Sequence, residues 1–164
     1  MGNFMATLKL SILSIFISLC AFAQSDSTLI FEKSKGSWKF PISNFSKIEK
    51  YEKCKLCPTA CFPIITTNFI SDSSVDVKAI HDGTVVLVVI IEDMYVIMTR
   101  FGSYSITYAG ITNPSVQKGD FVTQGQPIAR LQKDYDENFR LSIYLSKNEE
   151  QIDPFDWFLH KSCP

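Results

Sequence analysis

The residues best suited to chemistry in this 164-residue chain are its thiols. Cys54, Cys57 and Cys61 follow the pattern Cys-x-x-Cys-x-x-x-Cys, and Cys163 stands far down the chain. With Cys20 in the N-terminal apolar segment set aside, these four of the five cysteines form an even set, which in a chain bound for an oxidising compartment predicts disulfides. The spacing does not choose among the three possible pairings, but if all four are bridged, Cys163 must join one of the cluster. Such a bond would close a loop of about 100 residues and stabilise the fold by several kcal/mol through chain entropy. Two other chemistries suit the same spacing, a zinc knuckle and a redox thiol pair. The redox reading lacks the alternation of strands and helices that would surround such a pair. Imidazoles are scarce, with His81 and His160 the two histidines. His81 precedes Asp82-Gly83 and reads as an exposed turn residue; its alternative role is a metal site shared with Asp76 or Asp82.

Thiol chemistry depends on where the chain resides, and the N-terminus speaks to that. Lys9 precedes the apolar run Leu10 to Leu19, and Ala21-Phe22-Ala23 supplies small residues before Gln24. This is the pattern of a cleaved secretory signal over residues 1–23. The apolar run is shorter than a membrane span requires, so the expected membrane contact is limited to export. The alternatives are a lipid anchor on Cys20, disfavoured by bulky Leu19, and an uncleaved anchor. Cleavage would remove Lys9 alone among the charges, leaving 15 of the 16 basic residues against 17 acidic ones, a balance of about −2. No basic surface for nucleic acid or anionic lipid follows from such a balance. The expected location is secreted or periplasmic.

The elements that must position any site are strands. Thr84 to Ile91 is an unbroken β-branched and aliphatic run, which predicts a strand covered on both faces. Glu92-Asp93 interrupts it and Tyr95 to Thr99 returns, predicting a hairpin. Tyr104, Ile106 and Tyr108 alternate with Ser105 and Thr107, and Leu141, Ile143 and Leu145 share one side of a final strand from Arg140 to Leu145. Gly119-Asp120 and Gly125-Gln126 punctuate two short strands. Trp38-Lys39-Phe40-Pro41 reads as a strand leading into the core, and Ser46 to Lys53 as a short helix. The expectation is all-β: a compact antiparallel sheet or sandwich, with an irregular cysteine-containing N-terminal extension. The expected boundaries are 1–23 for the signal, 24–63 for the extension, 64–158 for the core and 159–164 for the tail.

Several phrases of the core, in order, resemble the LytM/lysostaphin-type peptidoglycan zinc endopeptidases. They are Tyr108-Ala109-Gly110-Ile111, Val116-Gln117-Lys118-Gly119-Asp120-Phe121-Val122, Gly125-Gln126-Pro127-Ile128-Ala129 and Ile152-Asp153-Pro154. The family's counterparts are Tyr-Ala-His-Leu, Val-x-x-Gly-Asp-x-Val-x-x-Gly-Gln-x-Ile and Val-Asp-Pro. The resemblance implies a duplicated, folded β-sheet of the barrel-sandwich hybrid type.

It also implies where chemistry should be. The family holds zinc with a His and an Asp four residues apart and the second His of His-Leu-His-Phe-Glu. The first His of that pair and the His of Tyr-Ala-His assist. Carried over, Arg140-Leu141-Ser142-Ile143-Tyr144 takes the place of His-Leu-His-Phe-Glu, Gly110 replaces the Tyr-Ala-His imidazole, Asn68 stands near the ligand Asp, and Ile64 near the first ligand His. A permanent guanidinium repels zinc, and serine and asparagine are poor zinc ligands. The expectation is therefore a degenerate member with no metal, no cofactor and no catalytic residues, acting by binding. Arg140, Ser142, Tyr144 and Tyr108 are the expected floor of the old groove, with Arg140 holding an anionic group. A peptidoglycan peptide or an envelope protein is the expected partner. The alternatives are an active peptidoglycan metallo-endopeptidase with rearranged ligands and a metal or redox module built on the cysteines. A carrier role through Lys118 lacks the flanking residues that biotin or lipoate attachment needs.

Overall fold

The computed structural model describes residues 28–55 and 62–158, with side chains defined at 28–51 and 64–158. Among the described residues ten strands follow one another: β1 (Lys47–Lys55), β2 (Phe62–Ser71), β3 (Asp76–Lys78), β4 (Gly83–Ile91), β5 (Met94–Phe101), β6 (Tyr104–Thr112), β7 (Phe121–Val122), β8 (Pro127–Leu131), β9 (Phe139–Lys147) and β10 (Glu150–Ile152). All pairings between these strands are antiparallel. The main order is β1-β2-β9-β6-β5-β4-β7, while β10 adds to β9 and β8 joins β6 to β3. A helix over residues 28–33 precedes the sheet, and a 3-10 turn, Phe155–Trp157, follows it.

Local chemistry explains the hairpins. Glu92 and Asp93 both take left-handed φ, 49° and 64°, as a two-residue turn between right-twisted strands requires. Asn148 and Glu149 do the same between β9 and β10, at 50° and 70°. The alternation on β9 is complete: Leu141, Ile143 and Leu145 have no exposed surface, while Arg140, Ser142 and Tyr144 are half-buried on the opposite face.

The core also draws in segments outside the strands. Phe31, from the N-terminal helix, is buried and stacks on Tyr104 at 4.1 Å, with Trp157 5.1 Å and Trp38 5.5 Å away. Trp38 donates its indole N–H to Ser34 Oγ at 2.8 Å, and its backbone N–H to the Trp157 carbonyl at 3.0 Å. Glu32 ties the same helix to the sheet by accepting from Tyr104 Oη at 2.8 Å and Lys147 Nζ at 2.6 Å.

Three expectations are corrected. The segment Ser46–Lys53 is not helical: β1 runs from Lys47 to Lys55 and pairs with β2 along its whole length. Ile48 packs on the core from one face of that strand, so pairing outweighs a local lysine–glutamate pattern that also suits a helix. Trp38–Pro41 forms no strand; Trp38 makes an isolated parallel bridge to Phe158. The aliphatic run of β4 is not covered on both faces, because Leu87, Ile90 and Ile91 are 36, 59 and 55% exposed. The expected signal at 1–23, Cys57, Cys61, Cys163 and His160 lie outside the described residues. Cys54 belongs to β1 and lies opposite Pro63, its side chain undescribed.

Candidate functional site

The outer face of the sheet is built from cross-strand rows. Glu49 lies opposite Asn68, Asn68 opposite Ser142, Ser142 opposite Ala109, Ala109 opposite Val96 and Val96 opposite Val89. Residues directly opposite in antiparallel strands share a face, so six strands contribute one side chain each to a single row. The next row runs Tyr144, Thr107, Met98 and Leu87. On β2, residues 64, 66, 68 and 70 share this face by their spacing of two. Positions 64, 68 and 142, where the resemblance puts metal ligands, therefore converge on one side of the sheet, and Arg140 joins that side opposite Ile70.

A groove of about 900 Å³ crosses this face. Its floor comprises Val96 and Met98 of β5, Thr107 and Ala109 of β6, and Tyr144 and Ser146 of β9. Ile91 closes one side, and the β9–β10 hairpin raises Glu149, Glu150 and Gln151 as the other wall. The groove continues past Met98, Ser146 and Glu149 into a recess of about 470 Å³ that ends at Arg100, Ser103 and Asn148. The β9–β10 wall escapes a search for catalytic residue types. Its one local signal is Asn148, a residue that tolerates the left-handed turn.

The expected site residues distribute unevenly. Asn68 is buried and accepts a hydrogen bond on Oδ1 from Thr66 Oγ1 at 3.2 Å, so its amide faces a packed hydroxyl. Ser142 stands in the central row. Tyr144 lines the groove, and burial, followed by repulsion from Tyr51, raises its hydroxyl above the ordinary tyrosine range. Arg140 lies beyond the groove end. Its Nε sits 3.2 Å from Asp134 Oδ2 in an ion pair whose alignment falls short of a hydrogen bond. The Glu49 carboxyl is held low first by Lys47 and, in smaller part, by the charge of Arg140. The guanidinium is thus already paired with a protein carboxylate, that of Asp134.

Tyr108 departs from the expected floor. It lies opposite Ile143, on the core face, fully buried, and its hydroxyl oxygen accepts the Ile80 N–H at 2.9 Å. Burial pushes that hydroxyl far above the ordinary tyrosine value. His81 is half-buried rather than exposed, with its ring 4.6 Å from Phe31 and 4.9 Å from Phe101 and its Nδ1 2.8 Å from the Asp82 carbonyl.

Gly110 is the most constrained position of the site. Its φ is +85°, and a Cβ built there would sit 2.1 Å from the carbonyl oxygen of Arg140. The register between β5 and β6 shifts here, with Val96 opposite Ala109 but Tyr95 opposite Ile111. Gly110 is thus the extra residue of a β-bulge. Before it, β6 pairs with β9 as far as Ala109; after it, Ile111 and Thr112 pair with β8. The Gly110 carbonyl accepts the Gln132 N–H at 3.0 Å. No side chain, imidazole included, fits without moving the β9 backbone.

A folded antiparallel sheet with a groove across its outer face, converging positions from β2 and β9, and a glycine bulge at the end of β6 defines the architecture of a zinc-peptidase fold. The chain belongs to peptidase family M23, whose profile matches residues 66–154, more than half of its length. No curated protein sequence matches the chain significantly. Among solved structures, it is similar to Helicobacter pylori Csd3 at 18% identity and a TM-score of 0.58, covering 76% of this chain and 37% of that one. A chain of the SpoIIIAH–SpoIIQ complex matches at 18% identity and a TM-score of 0.60, covering 74% and 100%. A zinc-containing peptidase from Vibrio cholerae matches at 18% identity and a TM-score of 0.56, covering 76% and 40%. The present chain thus spans well under half of Csd3 and of the Vibrio peptidase.

The zinc that the family implies does not fit the residues present. Three nitrogen, sulfur or carboxylate ligands are needed, whereas the converging positions hold Ile64, Asn68, Ser142 and Arg140. Among the described residues, no three or more His, Cys, Asp or Glu side chains come together to hold a metal.

Proposed function

We propose that this chain is a catalytically inactive M23 domain that works by binding in the retained groove. The observation that carries the reading is Gly110, where bulge and close backbone approach exclude the imidazole that the family places there, beside a row of amide, hydroxyl and aliphatic groups whose one carboxylate, Glu49, is ion-paired with Lys47. The groove itself, with an apolar floor and hydroxyls at Thr107, Tyr144 and Ser146, suits an extended peptide. The ligand is a peptidoglycan peptide or a segment of an envelope protein partner; Tyr144 is its contact in the groove, and Ser142 stands beside Ala109 on the same face. Arg140 serves as an end residue rather than the main anchor, since Asp134 already offsets its charge. A similar fold within the SpoIIIAH–SpoIIQ complex supports the partner-binding form of this reading. The chain is exported by a signal over 1–23, followed by an extension over 24–63, a core over 64–158 and a tail over 159–164.

Metal analysis of the purified protein, together with assays for release and for binding of peptidoglycan fragments, tests the reading. The expected result is no stoichiometric zinc, no release and measurable binding. Tyr144→Ala should weaken that binding by more than about 1 kcal/mol, as loss of a buried aromatic anchor does. Arg140→Ala should weaken it less. Stoichiometric zinc with fragment release would overturn the reading in favour of an active enzyme. Binding only to an envelope protein would select the adaptor form.

A further inference from the structure

The two outer edges of the sheet are built differently. At one, β1 reads Lys-Ile-Glu-Lys-Tyr-Glu-Lys-Cys-Lys, and charges at that density block edge-to-edge pairing. At the other, β4 reads Gly-Thr-Val-Val-Leu-Val-Val-Ile-Ile, with no charged residue at all. β7 covers only Gly83 and Thr84 of this strand. Val85 donates its N–H to the Asp120 carbonyl and accepts from the Gly119 N–H, each at 2.8 Å. Beyond Val85, and among the described residues, the backbone pairing of β4 runs to β5 alone. Five residues of an aliphatic strand, Leu87 to Ile91, therefore present an unpaired row of backbone groups, with Leu87, Ile90 and Ile91 substantially exposed. An edge of this kind is a template for another strand.

We propose that the β4 edge pairs antiparallel with the same edge of a second copy of this chain, giving a two-fold dimer. The run is its own complement, because an antiparallel register sets aliphatic side chains against aliphatic side chains and no like charges against each other. A two-fold axis perpendicular to the sheet at Val88 or Val89 keeps each face with its own kind, as directly opposed residues must share a face. Centred on Val89, it sets Leu87 opposite Ile91 and Val88 opposite Ile90 of the second copy. Glu92, at the hairpin tip, then lies beside the second copy's Val86, away from its own like charge. The interface is isologous and closed, so pairing stops at two chains. Both grooves fall on the same side of the enlarged sheet. The dimer does not depend on what the groove binds.

Sedimentation of the purified protein over about a hundredfold concentration range, with hydrogen exchange at residues 86–91, tests the dimer. The expected result is a mass rising from one chain to two, with exchange at 86–91 slowing in step. Ile90→Lys and Leu87→Lys, placed on opposite faces at exposed positions, should each weaken association at least about tenfold and leave the circular dichroism unchanged. A single-chain mass at every concentration overturns the dimer. So does a dimer that survives both lysine variants, which would use another surface, and so does protection of 86–91 that is independent of concentration, which would mean cover from within the chain.

Discussion

Gly110 shows how one residue can be fixed by its neighbours. Its left-handed backbone and the 2.1 Å approach to the Arg140 carbonyl leave no room for a side chain unless β9 moves. Gly110→Ala should destabilise the fold by about 2–4 kcal/mol, combining left-handed strain with displacement of β9. Gly110→His should do at least as much and should not bring metal binding with it. Denaturant midpoints and metal titration check both. Tyr108 makes the second point at this scale. Its spacing with Tyr104 and Ile106 shows which residues share a face, but a period of two does not say which face is buried. That depends on the register with Ile143, a long-range fact absent from the local sequence. Tyr108→Phe should cost about 1–3 kcal/mol, because it leaves the buried Ile80 N–H without an acceptor.

Among the elements, legibility followed burial. The β9 alternation and the Glu92-Asp93 turn are plain in the residues, since Leu141, Ile143 and Leu145 are core and the turn needs two left-handed residues. β1 is not plain: it draws its conformation from β2 rather than from its own lysines and glutamates. The helix over 28–33 is too short to announce itself by periodicity, and it holds through Phe31, which is 1% exposed among Trp38, Tyr104 and Trp157. Phe31→Ala should therefore cost about 3–5 kcal/mol, the range for emptying a buried aromatic site. Tryptophan fluorescence should report it directly, because both Trp38 and Trp157 pack against that ring. The groove was half legible for a related reason. Tyr144 is marked by the resemblance, whereas Met98, Ile91 and the Glu149–Gln151 wall meet it only once β5, β6 and β9 are in register.

For the whole molecule, buried tyrosines, together with Lys147, whose charge is held by Glu32 and Tyr104, should lower stability in alkali. Burial is the first cause of a raised hydroxyl pKa at Tyr104, Tyr108 and Tyr144, with a hydrogen bond to Glu32 adding at Tyr104. An unfolded tyrosine ionises near pH ~10. Between that value and the higher folded ones, the native state holds more protons than the unfolded state, so stability falls as pH rises. Below it, both states are protonated and these groups contribute no slope. Glu32 has the opposite sense. Hydrogen bonds from Lys147 and Tyr104 lower its pKa, so its contribution is present at neutral pH and fades as acid protonates it. It is an exposed pair and should be the more salt-sensitive. Denaturant midpoints should thus hold level from neutrality to about pH 9 and then decline through pH ~10–11. Tyr108→Phe should start lower but decline less steeply, because the most deeply buried of the three groups no longer titrates. A variant whose alkaline slope matches the wild type would mean that the decline arises elsewhere than at the Tyr108 hydroxyl.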